Sequence, residues 1–349
     1  MKILEDIKLD FTDVLLSPKR NEYTSRSEAI LERTITFKYS PYKWTGIPIM
    51  VSNMDTTGTI EMARSLQKHK IITCLHKYYK YTDIPNDLDK DYYAISSGIR
   101  EDDLKNLDEI MEKVDPKIIC LDVANGYMNK FITICNTVRS KYPDKIIIAG
   151  NICTSEGALD LIMNGRADIV KVGIGSGSCC TTRKQTGIGM PQLSAVMECS
   201  DTAHGVGAHV ISDGGIQVIG DISKAYAGGS DFVMCGSMFA GHEESGGTMV
   251  SEVSSTTGKE TIYKIFYGMS STTAMNKYSG GVAKYRSSEG KTVKLKYRGP
   301  IEDTILEILG GIRSTMTYIG AKKVKDIPKC ATFIRVNRQL NQIYNGSEI

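Results

Sequence analysis

A chain of 349 residues, 41% hydrophobic and 24% charged with few prolines, has an ordinary globular composition, which excludes a disordered or low-complexity protein. A formal net charge of +3 without a long lysine- or arginine-dense tract argues against nucleic acid or an anionic membrane as the main partner. No apolar run approaches the roughly 18 residues of a spanning helix, and MKILEDIKLDF (1–11) carries acids too early for a secretory signal, so a soluble, cytoplasmic protein is expected.

After an N-terminal segment (1–46), short apolar runs ending in small or polar residues recur along the chain. They are IPIMVSNMD (47–55), KIITCLHK (70–77), YYAISSG (92–98), IICLDVANG (118–126), KIIIAGN (145–151), DIVKVGIGSG (168–177), HVISDGG (209–215) and DFVMCGSMFAG (231–241). Segments of helical period lie between them. Residues 59–70 place Ile60, Met62, Ala63 and Leu66 on one face. Residues 100–113 open with Glu101, Asp102 and Asp103, space Leu104, Leu107, Ile110 and Met111 as a buried stripe, and close with Lys113, the charge order that a helix dipole favours. DISKAYAGG (221–229) ends a helix with paired glycines. The basic KYYKY (77–81) reads as a solvated loop face, and residues 242–260, rich in Gly, Ser and Thr, read as a mobile lid or surface loop.

Eight nearly continuous hydrophobic strands alternating with helices predict an α/β fold, a (β/α)8 TIM barrel, rather than an open doubly wound sheet. The expected layout is one barrel catalytic domain, with a core at about 47–320, a tail at 321–349 and no inserted regulatory module. A catalytic loop follows strand six, where the spacing to the next strand lengthens to about 41 residues, and a flap or lid insertion follows strand eight. Barrel closure would gather the strand ends at one mouth, among them Asn53, Asp55, His76, Lys77, Ser96, Asp122, Asn125, Asn151, Asp213 and Gly236. Nine scattered cysteines read mostly as small buried hydrophobes, and the five histidines are not grouped in sequence, which disfavours zinc.

The stretch with most chemistry is GIGSGSCCTTR (173–183). Alternate glycines let a backbone fold tightly around something small. A thiol beside N–H groups and near Arg183 would have its pKa drawn down toward a nucleophilic thiolate. The following TTRKQTGIGM (181–190) reads as flexible. The glycine turns SDGG (212–215) and CGSMFAG (235–241) suit a substrate phosphate.

GIGSGSCCTTRKQTGIGMPQLSAVMEC (173–199), ISDGG (211–215), FYGMSS (266–271), YRSSEGKTV (285–293) and ILGGIRSTMTYIG (308–320) together resemble the IMP dehydrogenase/GMP reductase family, in its reductase branch. The similarity runs from LDFTDVLLSPKR (9–20) to TFIRVNRQ (332–339). The resemblance implies an NADPH-dependent reductive deamination of GMP to IMP and ammonia, in purine salvage, through a covalent thioimidate on Cys180. Cys179 stands where that family has an apolar residue. Thr182 and Glu289 are implied as the proton relay. Asp213 would bind ribose hydroxyls, Gly214, Gly215, Gly236 and Ser237 the phosphate, and Gly268, Met269, Ser270, Arg286, Ser287, Ser288, Glu289 and Gly290 the base and ribose. NADPH would meet Ser25, Arg26, Lys77, Asp122, Val123, Ala124, Ile174, Gly175, Met269, Tyr285, Arg286, Ser314, Thr315, Met316 and Thr317, with Arg26 and Lys77 toward a 2′-phosphate. A potassium ion would face the carbonyls of Gly175, Gly177 and Cys180, with Arg183 nearby. A homotetramer is implied, with neighbouring subunits sharing the cofactor site. The rival readings are an IMP dehydrogenase, disfavoured by the short strand two to strand three spacing and by the STTAMNKYSGGVAKYRSSEGKTV segment (271–293), and a purine-nucleotide sensor without turnover.

Overall fold

The computed structural model describes residues 3–253, 258–285 and 287–337. Its centre is a closed barrel of eight parallel strands: β1 (Ile49–Val51), β2 (Ile72–Leu75), β3 (Tyr93–Ser97), β4 (Ile118–Asp122), β5 (Ile146–Ile152), β6 (Ile169–Val172), β7 (His209–Asp213) and β8 (Phe232–Cys235). Each strand pairs with the next, and β8 returns to β1 with Val233 opposite Ile49. The eight apolar runs are therefore the eight barrel strands. They read as continuous rather than alternating because both faces are buried.

One face of the strands fills the barrel with Met50, Ile72, Cys74, Ala94, Cys120, Ile148, Ile211 and Met234. An antiparallel hairpin of Arg33–Thr36 and Lys43–Gly46 closes the floor. Its Trp44 is 1% exposed, packs against Phe232 at 5.1 Å and donates Nε1–H to the Asp91 carbonyl at 2.8 Å. The other strand face packs on the helices.

Helix α1 (Ile60–Leu66) starts where the Thr59 hydroxyl accepts the Met62 N–H, and buries Ile60, Met62, Ala63 and Leu66. Helix α2 (Glu101–Lys113) buries Leu107, Ile110 and Met111 and carries its acids in the first turn and Lys113 in the last. The outer layer continues with α3 (Asn129–Lys141) and α4 (Ser155–Met163).

The long connection after β6 is not wholly irregular. It forms a short helix, α5 (Thr182–Thr186), before α6 (Gln192–Gly205). Helix α7 (Ile219–Ala227) stops at Gly228 and Gly229, as the paired glycines predict. The insertion after β8 departs from the loop expected at 242–260. It builds a three-stranded antiparallel sheet of β9 (Met249–Val253), β10 (Glu260–Tyr267) and β11 (Thr292–Lys296), with α8 (Thr272–Ser279) between the last two. The alternating MVSEV and ETIYKIFY supply the strand period under a polar composition. Helix α9 (Ile301–Ile319) then packs on α7. Among the described residues no helix is long and apolar enough to cross a membrane.

Candidate active site

The loop after β6 lies backbone to backbone against the loop after β7. A Cβ on Gly173, whose φ is +154°, would stand 1.8 Å from the Asp213 carbonyl oxygen, so only glycine permits the approach. The Gly215 N–H donates to the Ser176 carbonyl at 3.0 Å. At Gly175 (φ +79°) and Gly189 a Cβ would come within 2.7 Å of Arg183 Cγ, so the stem of Arg183 passes between two glycines.

Arg183, expected near the thiol, has its charge paired elsewhere. Its guanidinium is bonded to the Asp10 carboxylate at 3.0 Å and to the Met190 carbonyl at 2.7 Å. The N-terminal arm thus takes up its charge, which the sequence reading could not see across 173 residues. Cys180, half-buried, instead donates from Sγ to the Thr182 hydroxyl at 3.2 Å, and Thr182 donates to Glu289 Oε2 at 2.6 Å. Thr182 opens α5 two residues beyond the thiol, while Glu289 arrives from the insertion.

A run of backbone bonds holds that arrival in place. Thr181 N–H donates to the Glu289 carbonyl at 2.8 Å, Lys291 N–H to Cys179 at 2.9 Å, and Glu289 N–H to Ser270 at 3.0 Å. The Ser288 hydroxyl reaches the carbonyls of Ser270 and Gly290, each at 3.2 Å. Residues 287–291 therefore lie as a strap between the cysteine loop and Gly268–Met269–Ser270. Cys179 and Cys180 are both free thiols. Cys179 is buried against Phe266 and Ala240, the apolar role expected of its position.

Beneath this assembly the predicted Asp122 and Asp213 meet a residue not singled out from the sequence. Lys171, 2% exposed in β6, places Nζ 2.9 Å from Asp122 and 2.5 Å from Asp213. Burial disfavours its charge, but the two carboxylates outweigh that and hold its pKa above the ordinary lysine value. Burial likewise opposes ionisation of Asp122, yet Lys171 and the Asn53 amide keep its pKa below the usual range. Asn151 Nδ2 donates to the same Asp213 oxygen at 2.9 Å. A lysine in the middle of DIVKV, an otherwise apolar buried strand, is the signal that could have found it.

Most residues implied for the cofactor fall into two groups. Lys77, Asp122, Val123, Ala124, Ile174 and Gly175 stand at strand ends around the mouth, where Lys77 is paired with Asp103 at 3.1 Å. Ser25, Arg26 and Ser314–Thr317 lie on the outer layer at α9, across the barrel from β4. There a cleft of about 500 Å³ is lined by Arg26, Gly310, Arg313 and Ser314. The Met316 side chain is fully buried in the core, so a contact from this residue to a ligand would come from its backbone. Tyr285 is 94% exposed. Arg286 lies outside the described residues. Gly236 and Ser237 follow β8, and Gly214 and Gly215 follow β7, side by side at the mouth. The Gly177 carbonyl accepts the Cys180 N–H at 3.0 Å, closing a turn.

Two further readings of the sequence change. KYYKY is not a solvated face at its start, because Tyr79 stacks on His76 at 4.0 Å and Tyr78 on Tyr278 at 3.5 Å. The histidines, ungrouped in sequence, are partly grouped by the fold. His204 and His209 meet Asp231 at the floor, but Arg33 at 2.7 Å and the Val210 N–H at 3.0 Å also bond that carboxylate.

Comparison with known proteins gives the family. The family described as IMP dehydrogenase / GMP reductase domain matches residues 8–341. The human protein named GMP reductase 1 is 52% identical, the alignment covering 99% of each chain. The Buchnera aphidicola GMP reductase is 51% identical over 100% of this chain and 99% of its own, and that of Klebsiella pneumoniae 50% identical over 99% and 100%. With the family matched over nearly its whole length and half its residues shared with these relatives, the chain belongs to the IMP dehydrogenase/GMP reductase family.

Proposed function

We propose that this chain is a GMP reductase that converts GMP to IMP and ammonia with NADPH, through a thioimidate on Cys180. The observation that carries the reading is the directed chain Cys180 Sγ–H to Thr182 Oγ1 to Glu289 Oε2. Shifting both protons along it makes the thiolate and a neutral Glu289 together, without releasing charge to solvent. The thiolate attacks C2 of the guanine, which bears the exocyclic amine. Glu289 then returns a proton through Thr182 to that amine, and ammonia leaves. Cys180 stays bound to C2 until hydride addition there, followed by C–S cleavage, frees IMP and the thiolate.

Lys171 and Asn151 both bond Oδ2 of Asp213, which leaves its second oxygen to accept from the ribose hydroxyls. The glycine turns at 214–215 and 236–237 would hold the phosphate through the N–H groups of Gly214, Gly236 and Ser237, since the Gly215 N–H is already given to the Ser176 carbonyl. Ser270 and Ser288–Gly290 border the base.

NADPH, when bound, supplies the hydride. Residues suited to it are Lys77, Asp122 and Gly175 at the mouth, and the Arg26–Ser314 cleft, whose two arginines suit a phosphate. Because the Arg26–Ser314 cleft lies on the outer layer and is lined by none of the mouth residues, one cofactor site would be completed by a neighbouring subunit, consistent with a homotetramer. The hard carbonyls of Gly175, Gly177 and Cys180 suit a potassium ion; Gly177, already accepting one N–H, has a second lone pair to offer.

The test is to mix purified protein with GMP and NADPH and follow the reduced-nicotinamide absorbance. Decay that requires GMP and disappears in Cys180→Ala supports the reading. A signal only with IMP and NAD+ would mark a dehydrogenase, and GMP binding without any turnover a sensor.

A further inference from the structure

We propose that Asp55 is a positioning residue for this reaction: its carboxylate staples both ends of segment 267–278 to the barrel and thereby holds Glu289 on Thr182. The inference rests on the reductase reading of the site. Asp55 follows β1 at the mouth and is 6% exposed. Its Oδ2 accepts the Tyr267 hydroxyl at 2.6 Å, the Tyr278 hydroxyl at 2.5 Å and Lys277 Nζ at 2.8 Å. Its Oδ1 is buried without a partner among the described residues. A buried carboxylate needs compensation, and here all three donors come from the insertion after β8 and none from the barrel. Docking the insertion therefore exchanges water on Asp55 for these donors, and lifting it would return the carboxylate to water.

The donors sit at the two ends of one segment. Tyr267 is the last residue of β10, and Lys277 and Tyr278 lie in the last turn of α8. Between them run Gly268, Met269, Ser270 and Ser271. Gly268 N–H bonds the Lys291 carbonyl at 3.2 Å, and Ser270 accepts from Glu289 at 3.0 Å. Gly290 bridges Ser271 on one side and Cys180 on the other. Where this segment sits thus decides where Glu289 sits. The Tyr278 ring lies flat on Tyr78, at 3.5 Å and 3°, which fixes the helix end laterally. A relay bond of 2.6 Å tolerates little displacement.

The test uses Asp55→Asn, Tyr278→Phe, Glu289→Gln and the Asp55→Asn/Glu289→Gln double variant. Asp55→Asn is expected to lower kcat by about 10–100-fold. Tyr278→Phe, which keeps the ring stack, should lower it by about 3–10-fold. In the Glu289→Gln background the Asp55 change should cost less than about 3-fold, because the relay it serves is already gone. Hydrogen exchange supplies a readout independent of turnover. The amides of Gly268, Glu289 and Lys291 should lose protection in Asp55→Asn and Tyr278→Phe, while those of β5 and β6 keep theirs. Wild-type kcat in Asp55→Asn, fully additive losses in the double variant, or unchanged exchange across 268–291 would overturn the proposal. Should the wild-type chain fail to reduce GMP, the reductase reading falls by itself, and the exchange experiment still decides whether the staple exists.

Discussion

At the floor of the barrel Asp168 and Asp231 stand immediately before β6 and β8 and are bonded by backbone N–H groups as well as side chains, whereas at the mouth Asp55, Asp122 and Asp213 take their donors from a few ammonium, hydroxyl and amide side chains. The two floor acids use one device. Asp168 donates its N–H to the Ile147 carbonyl and accepts the Ile147 N–H; Asp231 does the same with Val210. Asp168 adds the N–H groups of Tyr39 and Ser40 and the guanidinium of Arg139, whose remaining donors reach the carbonyls of Pro143, Lys145 and Arg166. At the mouth Asp55 takes all its donors from an inserted sheet and helix, and Asp213 takes both of its bonds on one oxygen. Saturation by backbone makes a clamp; partial satisfaction by side chains makes a site.

That contrast can be broken from either end. Cys180→Ala should abolish GMP-dependent NADPH oxidation, by about 10⁴-fold or more, while unfolding free energy stays within about 1 kcal/mol; residual turnover near wild type would remove the mouth's chemistry from this thiol. Glu289→Gln or Thr182→Val should lower kcat by about 10²–10³-fold with the same small effect on stability, as steady-state kinetics and denaturation together would read. At the floor the signs reverse. Asp168→Asn or Arg139→Met breaks a pair that is 0% and 1% exposed and should cost about 3–5 kcal/mol of stability, with kcat per folded molecule within about 2-fold of wild type. A floor variant that folds normally but loses catalysis would dissolve the distinction.

The smallest effect is in pH. His76, near the mouth, is lowered to about 4, chiefly because burial disfavours the cation. Its neutral form is the folded one, so stability is undiminished above about 6.5 and falls as pH drops from there through about 4, by at most about 3 kcal/mol. His209, at the floor, is pushed the other way. Burial opposes its charge, but the bond to Asp231 outweighs this and raises its pKa. Its contribution is complete below about 6.5 and is lost as pH rises through the raised value. Denaturation of His76→Gln and His209→Gln across pH should remove the acid-side slope in the first and an alkaline-side slope in the second.

Much of the architecture is legible residue by residue. The eight strands, the buried stripes of α1 and α2 and the glycine stop of α7 follow from local period and local chemistry, which sequence displays directly. The strands at 249–253 and 260–267 are harder to read because Ser, Thr and Glu interrupt their apolar residues, and KYYKY misleads because its Tyr78 ring is covered by Tyr278 from about 200 residues away. In the site, Cys180 and Thr182 are adjacent in one loop, and resemblance singles them out. Glu289, in SSEGK, looks like a surface acid until the strap brings it across 107 residues to Thr182. Lys171 is visible as a charge inside an apolar strand, but its partners Asp122 and Asp213 are not.

Sequence alone determined the alternation of strands and helices, the glycine turns at the strand ends and the thiol that follows them, since all of these are set by a few neighbouring side chains. Tertiary structure decided which charges neutralise one another: Arg183 with Asp10 rather than with the thiol, Lys171 with two aspartates, Asp55 with the inserted helix. Such pairings follow from distances of a few ångströms between residues far apart along the chain, which only closure of the barrel and docking of its insertion create.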